Sequence, residues 1–271
     1  FGLKLWASKV GLVAGVGSDL PVAARDWLAQ LAIDTAGLRF DSRWPTPRAW
    51  QVLEEDGRRT QVWRIPGPAI GAQLGRRWDV LPPGYRAARG YHLGIHPEEP
   101  DFEFISALRQ AGAVVSIEPF RAAQRPLTAA EVAALASAGQ IFSPNLAEAR
   151  SLVGDGSPPE LVRRLAEAGA QVVALREGAN GALVYRADTG ELWQIPPLPT
   201  RIIDPTGAGN AFCGGFLAGW VQTGSLATAG VYGSVAASFL VEQVGLPPTP
   251  APAAEVERRR QLVAGHIHQI F

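Results

Sequence analysis

Residues 204–216 read DPTGAGNAFCGGF, the most informative stretch of the sequence. Its glycines at positions 207 and 209 allow a tight backbone turn before a run of small and apolar residues that is typical of a buried helix. Such a turn leaves unpaired N–H groups at a helix N-terminus, where the helix dipole favours an anion. The alternative is an ordinary turn that these glycines ease, with Gly215 and Gly219 allowing close helix packing.

Strands and helices alternate on the N-terminal side of this stretch. The pattern predicts a mostly parallel sheet with helices on both faces, and ligands bind such sheets beyond the carboxyl ends of the strands. Residues 48–64 differ, because apolar and polar residues alternate by two around Asp56-Gly57, which predicts a hairpin. Thr128 with Glu131, and Ser157 with Glu160, have the spacing of capping boxes. Two apolar helices and a final helix over 255–271 follow Asn210.

Composition excludes several classes of protein. The 271 residues suit one large α/β domain, and a net charge of zero gives no electrostatic basis for binding nucleic acid or an acidic membrane. The single cysteine, Cys213, forms no internal disulfide and is expected to be a buried, inert thiol. No charge occurs between Asn210 and Glu242, but residues 222–225 form a polar turn, so each half is too short to span a bilayer.

The chain has no methionine and opens on what looks like the end of a helix, so we expect that its natural N-terminus is missing. No signal peptide is visible, and a cytoplasmic location is expected. Neither a Walker A pattern nor a G-x-G-x-x-G fingerprint occurs. The histidines at 92, 96, 266 and 268 do not predict a transition-metal site.

The sequence DPTGAGNAFCGGFLAG resembles the C-terminal signature of the PfkB-type carbohydrate kinases of the ribokinase superfamily. Those proteins carry Asp-Thr-Thr-Gly-Ala-Gly-Asp followed by Phe and a glycine pair. Further segments are similar to the family in the same order: VGLVAGVGSDLP (10–21), the hairpin at 48–64, FSPNLAEARSLVG (142–154), VVALREGANGALVY (172–185) and AASFLVEQVGLP (236–247). The resemblance implies one ribokinase-like domain over 1–271 that lacks the family's first strand, with residues 46–66 in a small β lid.

The resemblance also implies functional residues. Gly207, Ala208 and Gly209 would form the anion hole for the transferring phosphoryl group, and the cofactors would be ATP and Mg²⁺. Glu148 and Asp204 would organise the metal, although an ordinary solvated helix carboxylate is the alternative for Glu148. The positions implied to bind the nucleotide and its metal are Asn145, Glu148, Arg176, Gly178, Gly181, Asp204, Thr206, Ser234 and Gly245.

Asn210 stands where the family has the aspartate that accepts the proton of the acceptor hydroxyl. A positioned general base contributes about 10²–10⁴-fold, whereas much of phosphoryl transfer depends on positioning and electrostatics. The sequence is similar to a divergent, partly fungal branch that carries Asn here. It therefore predicts either an impaired ATP-dependent sugar kinase or a pseudokinase that serves as a nucleotide-binding or assembly subunit.

The acceptor side departs from the family as well. Glu118 in the segment SIEPFR would replace an acceptor-binding acid, while Phe120 replaces an amide. Three tryptophans near the lid, Trp44, Trp50 and Trp63, suit stacking on a sugar-like face. Packing of the lid or a homodimer contact through it suits them equally, since aromatic residues are enriched at interfaces.

Overall fold

The computed structural model describes residues 1–53, 59–247 and 251–270. The single domain over 1–271 stays a prediction, and by its contacts the chain forms two compact units. One unit is Lys9–Arg86, and the other joins Phe1–Ser8 to the chain from Ala87 onward.

The unit Lys9–Arg86 contains two small sheets. In the first, β1 (Gly11–Val16) and β2 (Asp34–Phe40) pair in parallel, and α1 (Val22–Gln30) lies between them in the sequence. In the second, β3 (Ala49–Leu53) and β4 (Arg59–Trp63) form the predicted antiparallel hairpin, while its Asp56-Gly57 turn lies outside the described residues. Helices α2 (Gly67–Leu74) and α3 (Pro83–Arg86) complete the unit.

The larger unit is built on a seven-stranded sheet with the order β11-β10-β9-β8-β7-β6-β5. Five of its strands, β5 to β8 and β10, run in one direction, as the mostly parallel prediction required. The strands are β5 Gly90–Ile95, β6 Val114–Pro119, β7 Ile141–Phe142, β8 Val172–Arg176, β9 Ala182–Arg186, β10 Leu192–Ile195 and β11 His268–Gln269. The helices are α4 Phe102–Gln110, α5 Ala129–Ser137, α6 Leu146–Val153, α7 Pro158–Glu167, α8 Ala208–Thr223, α9 Leu226–Leu240 and α10 Ala253–Ala264.

Helices cover both faces of this sheet. Val172 and Ala174 of β8 belong to one hydrophobic cluster with α8 and α9. Alternate residues of a strand point to opposite faces, so the fully buried Val173 and Leu175 face the other way. Helices α6 and α7 also contact β8, with Leu161 buried on α7. The α8–α9 pair therefore shields one face, and α6 and α7 shield the other.

The C-terminal segment differs from the sequence prediction of a helix through residue 271. Helix α10 ends at Ala264, and His268–Gln269 adds an edge strand that pairs with β10. The Trp193–Gln269 and Gln194–His268 pairs give hydrogen-bond partners to the backbone of β10, which would otherwise be an edge strand. Long-range pairing of this kind has no local signal, which is why the helical pattern appeared to continue.

The apolar run after Asn210 forms two separate helices. Gly224 ends α8 in a left-handed conformation with φ of +64°, which an L side chain adopts at a cost. Ser225 then caps α9 by accepting a hydrogen bond from the Thr228 amide. Among the described residues, no helix has both the length and the hydropathy to cross a bilayer.

Candidate functional site

The carboxyl ends of β6, β7 and β8 bring polar residues together at one edge of the sheet. Glu118 lies near the end of β6, Ser143 directly follows β7, and Arg176 is the last residue of β8. These strands are parallel neighbours, so their ends lie side by side. An isolated bridge between Asn145 and Arg176 extends the pairing past β7. This edge is where an open α/β sheet binds ligands.

The N-terminus of α8 forms the other part of the site. Gly207 caps the helix in a left-handed conformation with φ of +84°. The Ala208 amide donates to the Pro205 carbonyl at 3.2 Å, so this member of the predicted anion hole already has a partner. Among the described residues, no acceptor contacts the amides of Gly207, Gly209 and Asn210. The open donors therefore include Gly207 and Gly209, as predicted, with Asn210 in place of Ala208.

Asp204 and Thr206 shape the turn that precedes α8. The Thr206 amide donates to Asp204 Oδ1 at 2.8 Å, and this hydrogen bond lowers the pKa of the Asp204 carboxyl below its usual value. Asp204 is half-buried and Thr206 is exposed. Asp204 thus braces the turn, while its metal-binding role stays a prediction.

The Arg176 side chain lies directly against the start of α8. A Cβ atom at Gly209 would overlap Arg176 Nη1, so position 209 accepts only glycine while the guanidinium stays there. Nη2 of the same group donates to the Ser143 carbonyl at 2.8 Å and pairs with Glu118 Oε2 at 2.8 Å. It also pairs with Glu148 Oε2 at 3.3 Å. The Arg176 guanidinium thus forms ion pairs with both Glu118 and Glu148, next to the open backbone amides.

Glu118 is the centre of a buried polar cluster, whereas the sequence predicted it as a substrate-binding residue. Its Oε1 pairs with His92 Nε2 at 3.1 Å, and His92 Nδ1 lies 3.1 Å from the Ser116 hydroxyl. Burial by itself would raise the pKa of Glu118, but the Arg176 charge and the His92 hydrogen bond outweigh it and hold that pKa at about 2. An acceptor contact stays a prediction and would require one of these bonds to open.

Cys213 lies one helical turn beyond Gly209 and joins the same cluster. Its thiol donates toward Glu118 Oε2 at 3.5 Å and Ser143 Oγ at 3.3 Å. Burial, with the Glu118 charge, raises the pKa of the Cys213 thiol. His92, Glu118 and Cys213 each place a possible ligand atom within 4.8 Å of the other two, a group that the sequence did not suggest. Arg176 is paired with Glu118, and its positive charge would repel a metal ion bound by these three residues.

Cys213 is therefore expected to be inert in the folded protein. The thiolate is the reactive species, and both burial and the raised pKa suppress it. We expect no reaction with a disulfide reagent in the native state and stoichiometric reaction in guanidinium chloride. Rapid native-state labelling, followed by absorbance, would contradict the buried placement.

Asn145 and Glu148 cap the start of α6. The Asn145 side chain accepts from the Glu148 amide at 2.9 Å, while Glu148 accepts from the Asn145 backbone at 2.8 Å and from Asn145 Nδ2 at 2.7 Å. Glu148 is only 4% exposed. Because both of its oxygens are occupied and its charge is shared with Arg176, these residues do not fit Mg²⁺ on Glu148. The solvated-carboxylate alternative is wrong, since the side chain is buried.

The remaining nucleotide-side positions are spread over two turns and a helix. Gly178 begins a short turn with φ of +61°, and Gly181 ends it with φ of +86°. Gly245 follows α9 with φ of +81° and is exposed. Ser234 is buried within α9, and its hydroxyl donates to the Pro196 carbonyl at 2.8 Å. The nucleotide contact predicted for Ser234 would need that hydrogen bond to open.

The lid segment, residues 46–66, lies within the unit Lys9–Arg86. Trp50 and Trp63 on its hairpin are exposed, and the Arg64 guanidinium lies 4.7 Å from the Trp50 ring centroid. Trp44 is half-buried. Stacking on a sugar and a homodimer contact through this segment both stay predictions.

The architecture is that of the ribokinase-like α/β proteins. The structure is similar to that of Vibrio cholerae fructokinase, bound to fructose, ADP and calcium ion, with a TM-score of 0.75 at 20% identity over 95% of this chain and 87% of that one. It is also similar to Arabidopsis thaliana ribokinase, complexed with ribose and ATP, with a TM-score of 0.73 at 21% identity over 96% and 84%.

Sequence comparison gives the family. A family model described as pfkB family carbohydrate kinase matches residues 1–253, and the chain belongs to this family. A curated relative, the cytidine kinase of Thermococcus kodakarensis, is 28% identical over 219 residues, which are 80% of this chain and 75% of the relative. The resemblance inferred from residues 204–216 is thus confirmed over most of the sequence.

Proposed function

We propose that this protein holds the phosphates of ATP at the N-terminus of α8 and transfers a phosphoryl group, slowly, to a hydroxyl of a sugar or nucleoside. The observation that carries the proposal is the set of open amides at Gly207, Gly209 and Asn210. They begin a 16-residue helix, whose dipole favours an anion at this end. The Arg176 charge beside Gly209 adds to that preference.

An apolar surface next to this helix suits a nucleobase. The amides of Ile203 and Asp204 both donate to the Val241 carbonyl, so the segment before α8 lies along the end of α9. Exposed aliphatic side chains project from these two segments: Ile202, Ile203, Val244 and Leu246. Ligand pockets combine such apolar walls with a few polar groups that fix orientation.

The transfer is proposed to be slow because position 210, in the first turn of α8, carries no general base. Asn210 is exposed in the first turn of α8, which contains no acidic residue, and an amide does not accept a proton at neutral pH. Glu118 is no substitute, since Arg176 and His92 hold its pKa at about 2 and occupy its oxygens. The Mg²⁺ site predicted at Glu148 and Asp204 is left out of the proposal, because the Glu148 donor set does not fit.

A second candidate is nucleotide binding without turnover. The carboxamide side chain of Asn210 favours it. Loss of a general base removes about 10²–10⁴-fold of rate, while the backbone N–H groups that would bind phosphate stay open. The two candidates share their binding step and differ only in whether product forms.

Nucleotide binding is expected to raise the melting temperature of the protein. A ligand at 100 times its Kd that binds only the folded state adds about 2.7 kcal/mol to the free energy of unfolding. We expect millimolar ATP and ADP to shift the transition, measured by differential scanning fluorimetry. Adenosine, which lacks the phosphates, is the matched control and should give a much smaller shift. No shift with either nucleotide would overturn both candidates.

A further inference from the structure

We propose that the Arg176 guanidinium takes the place of a divalent cation at Glu148, so that this site binds nucleotide phosphates without a metal ion on that carboxylate. The inference rests on the proposed function, because it concerns the same phosphate site. It replaces the predicted Mg²⁺ contact at Glu148 with a group that belongs to the protein.

The first support is that both carboxylate oxygens of Glu148 already accept hydrogen bonds. Oε1 accepts from Asn145 Nδ2 at 2.7 Å, and Oε2 accepts from the Asn145 amide at 2.8 Å and from Arg176 Nη2 at 3.3 Å. Hard divalent cations bind oxygens whose charge and lone pairs are available. A metal ion at Glu148 would have to displace these donors and would meet the guanidinium charge at close range.

The orientation of Arg176 is the second support. Its Nη2 is turned toward Glu118 and Glu148, and its Nη1 lies against Gly209 at the start of α8. No residue in the described part of the chain accepts a hydrogen bond from Nη1. A guanidinium presents a planar set of donors that suits phosphate oxygens. The Nη2 edge of the guanidinium is therefore paired with two carboxylates, and the Nη1 edge lies at the start of α8, where the open amides are.

The surroundings fix this orientation before any ligand arrives. The Ser143 carbonyl accepts from the same Nη2 at 2.8 Å, and His92 holds the opposite oxygen of Glu118 at 3.1 Å. The Arg176 side chain is only 13% exposed. Because the cation is already ordered, binding phosphate costs little side-chain entropy. A diffusible metal ion would have to be captured at each binding event.

The test measures ADP affinity by calorimetry in EDTA and in Mg²⁺. In the wild type the two Kd values are expected to agree within about threefold. In Arg176→Thr, which removes the guanidinium charge from Glu148, Kd in EDTA should rise by about tenfold or more and Mg²⁺ should restore it. The control Arg109→Gln, which removes an arginine that donates to the Ser137 and Ala138 carbonyls, should behave as the wild type does. ADP binding by the wild type only in Mg²⁺ would overturn the inference.

Further variants keep the test decisive if Arg176→Thr does not fold. Arg176→Lys keeps the charge and should keep binding in EDTA. Glu148→Gln should leave the Kd in Mg²⁺ within about threefold of the wild-type value, and a loss of about tenfold confined to Mg²⁺ buffer would overturn the inference. Absence of ADP binding in both buffers would overturn the proposed function itself, whereas binding with a strict Mg²⁺ requirement would overturn only this inference.

Discussion

Phosphoryl transfer by the Asn210→Asp variant is expected to exceed that of the wild type by about 10²–10⁴-fold. The side chain at position 210 is exposed in the first turn of α8, beside the open amides of Gly207 and Gly209. A carboxylate there could accept the proton of the acceptor hydroxyl, and the helix N-terminus would favour its negative charge. The phosphate donors are backbone groups and are unchanged by the substitution, so the gain should appear in kcat more than in nucleotide affinity.

The measurement is a coupled assay with ATP and a panel of sugars and nucleosides, for both proteins side by side. Gln222→Glu makes the same change from amide to carboxylate near the other end of α8 and should leave the rate unchanged. Asn210→Ala supplies no base and should give no gain. Equal and high rates in the wild type and in Asn210→Asp would show that another group accepts the proton. No activity in either, with intact ADP binding, would favour the candidate without turnover.

Signals confined to a few neighbouring residues predicted much of this structure. The glycines at 207 and 209 and the family signature around them placed the start of α8. Thr128 with Glu131 predicted a capping box that is present at the start of α5. Such features follow from the conformational demands of one turn and need no knowledge of distant residues.

The buried cluster beside the site could not be predicted in the same way. Glu118 and Arg176 pair across 58 positions of sequence, and Cys213 lies a further 37 positions on. Nothing in the spacing of these residues indicates that a cation and a carboxylate share one buried edge. The resemblance assigned Arg176 to the nucleotide and Glu148 to a metal. Their ion pair became apparent only once the ends of β7 and β8 were placed next to each other.

The Gly209→Ala variant is expected to lower the free energy of unfolding by about 2–4 kcal/mol. The added methyl group would overlap Arg176 Nη1, so the guanidinium must move, and we expect its pairs with Glu118 and Glu148 to break. Leaving a buried charge without its partner costs about 3–5 kcal/mol, and replacing glycine by alanine within a helix returns at most about 1 kcal/mol. Chemical denaturation followed by circular dichroism gives the measurement. Gly71→Ala, at an open helical position, is the control and should be neutral or stabilising.

A double-mutant cycle separates this clash from any intrinsic need for glycine at the start of α8. In the Arg176→Thr background the overlapping atom is gone, so Gly209→Ala should change the free energy of unfolding by no more than about 1 kcal/mol. The coupling between the two sites should then reach about 2–3 kcal/mol, near the upper end for residues in contact. Additive effects would instead mean that the guanidinium does not lie against Gly209 in solution. In that case the cation would be free to move away from the open amides, and their affinity for phosphate would depend on the helix N-terminus alone.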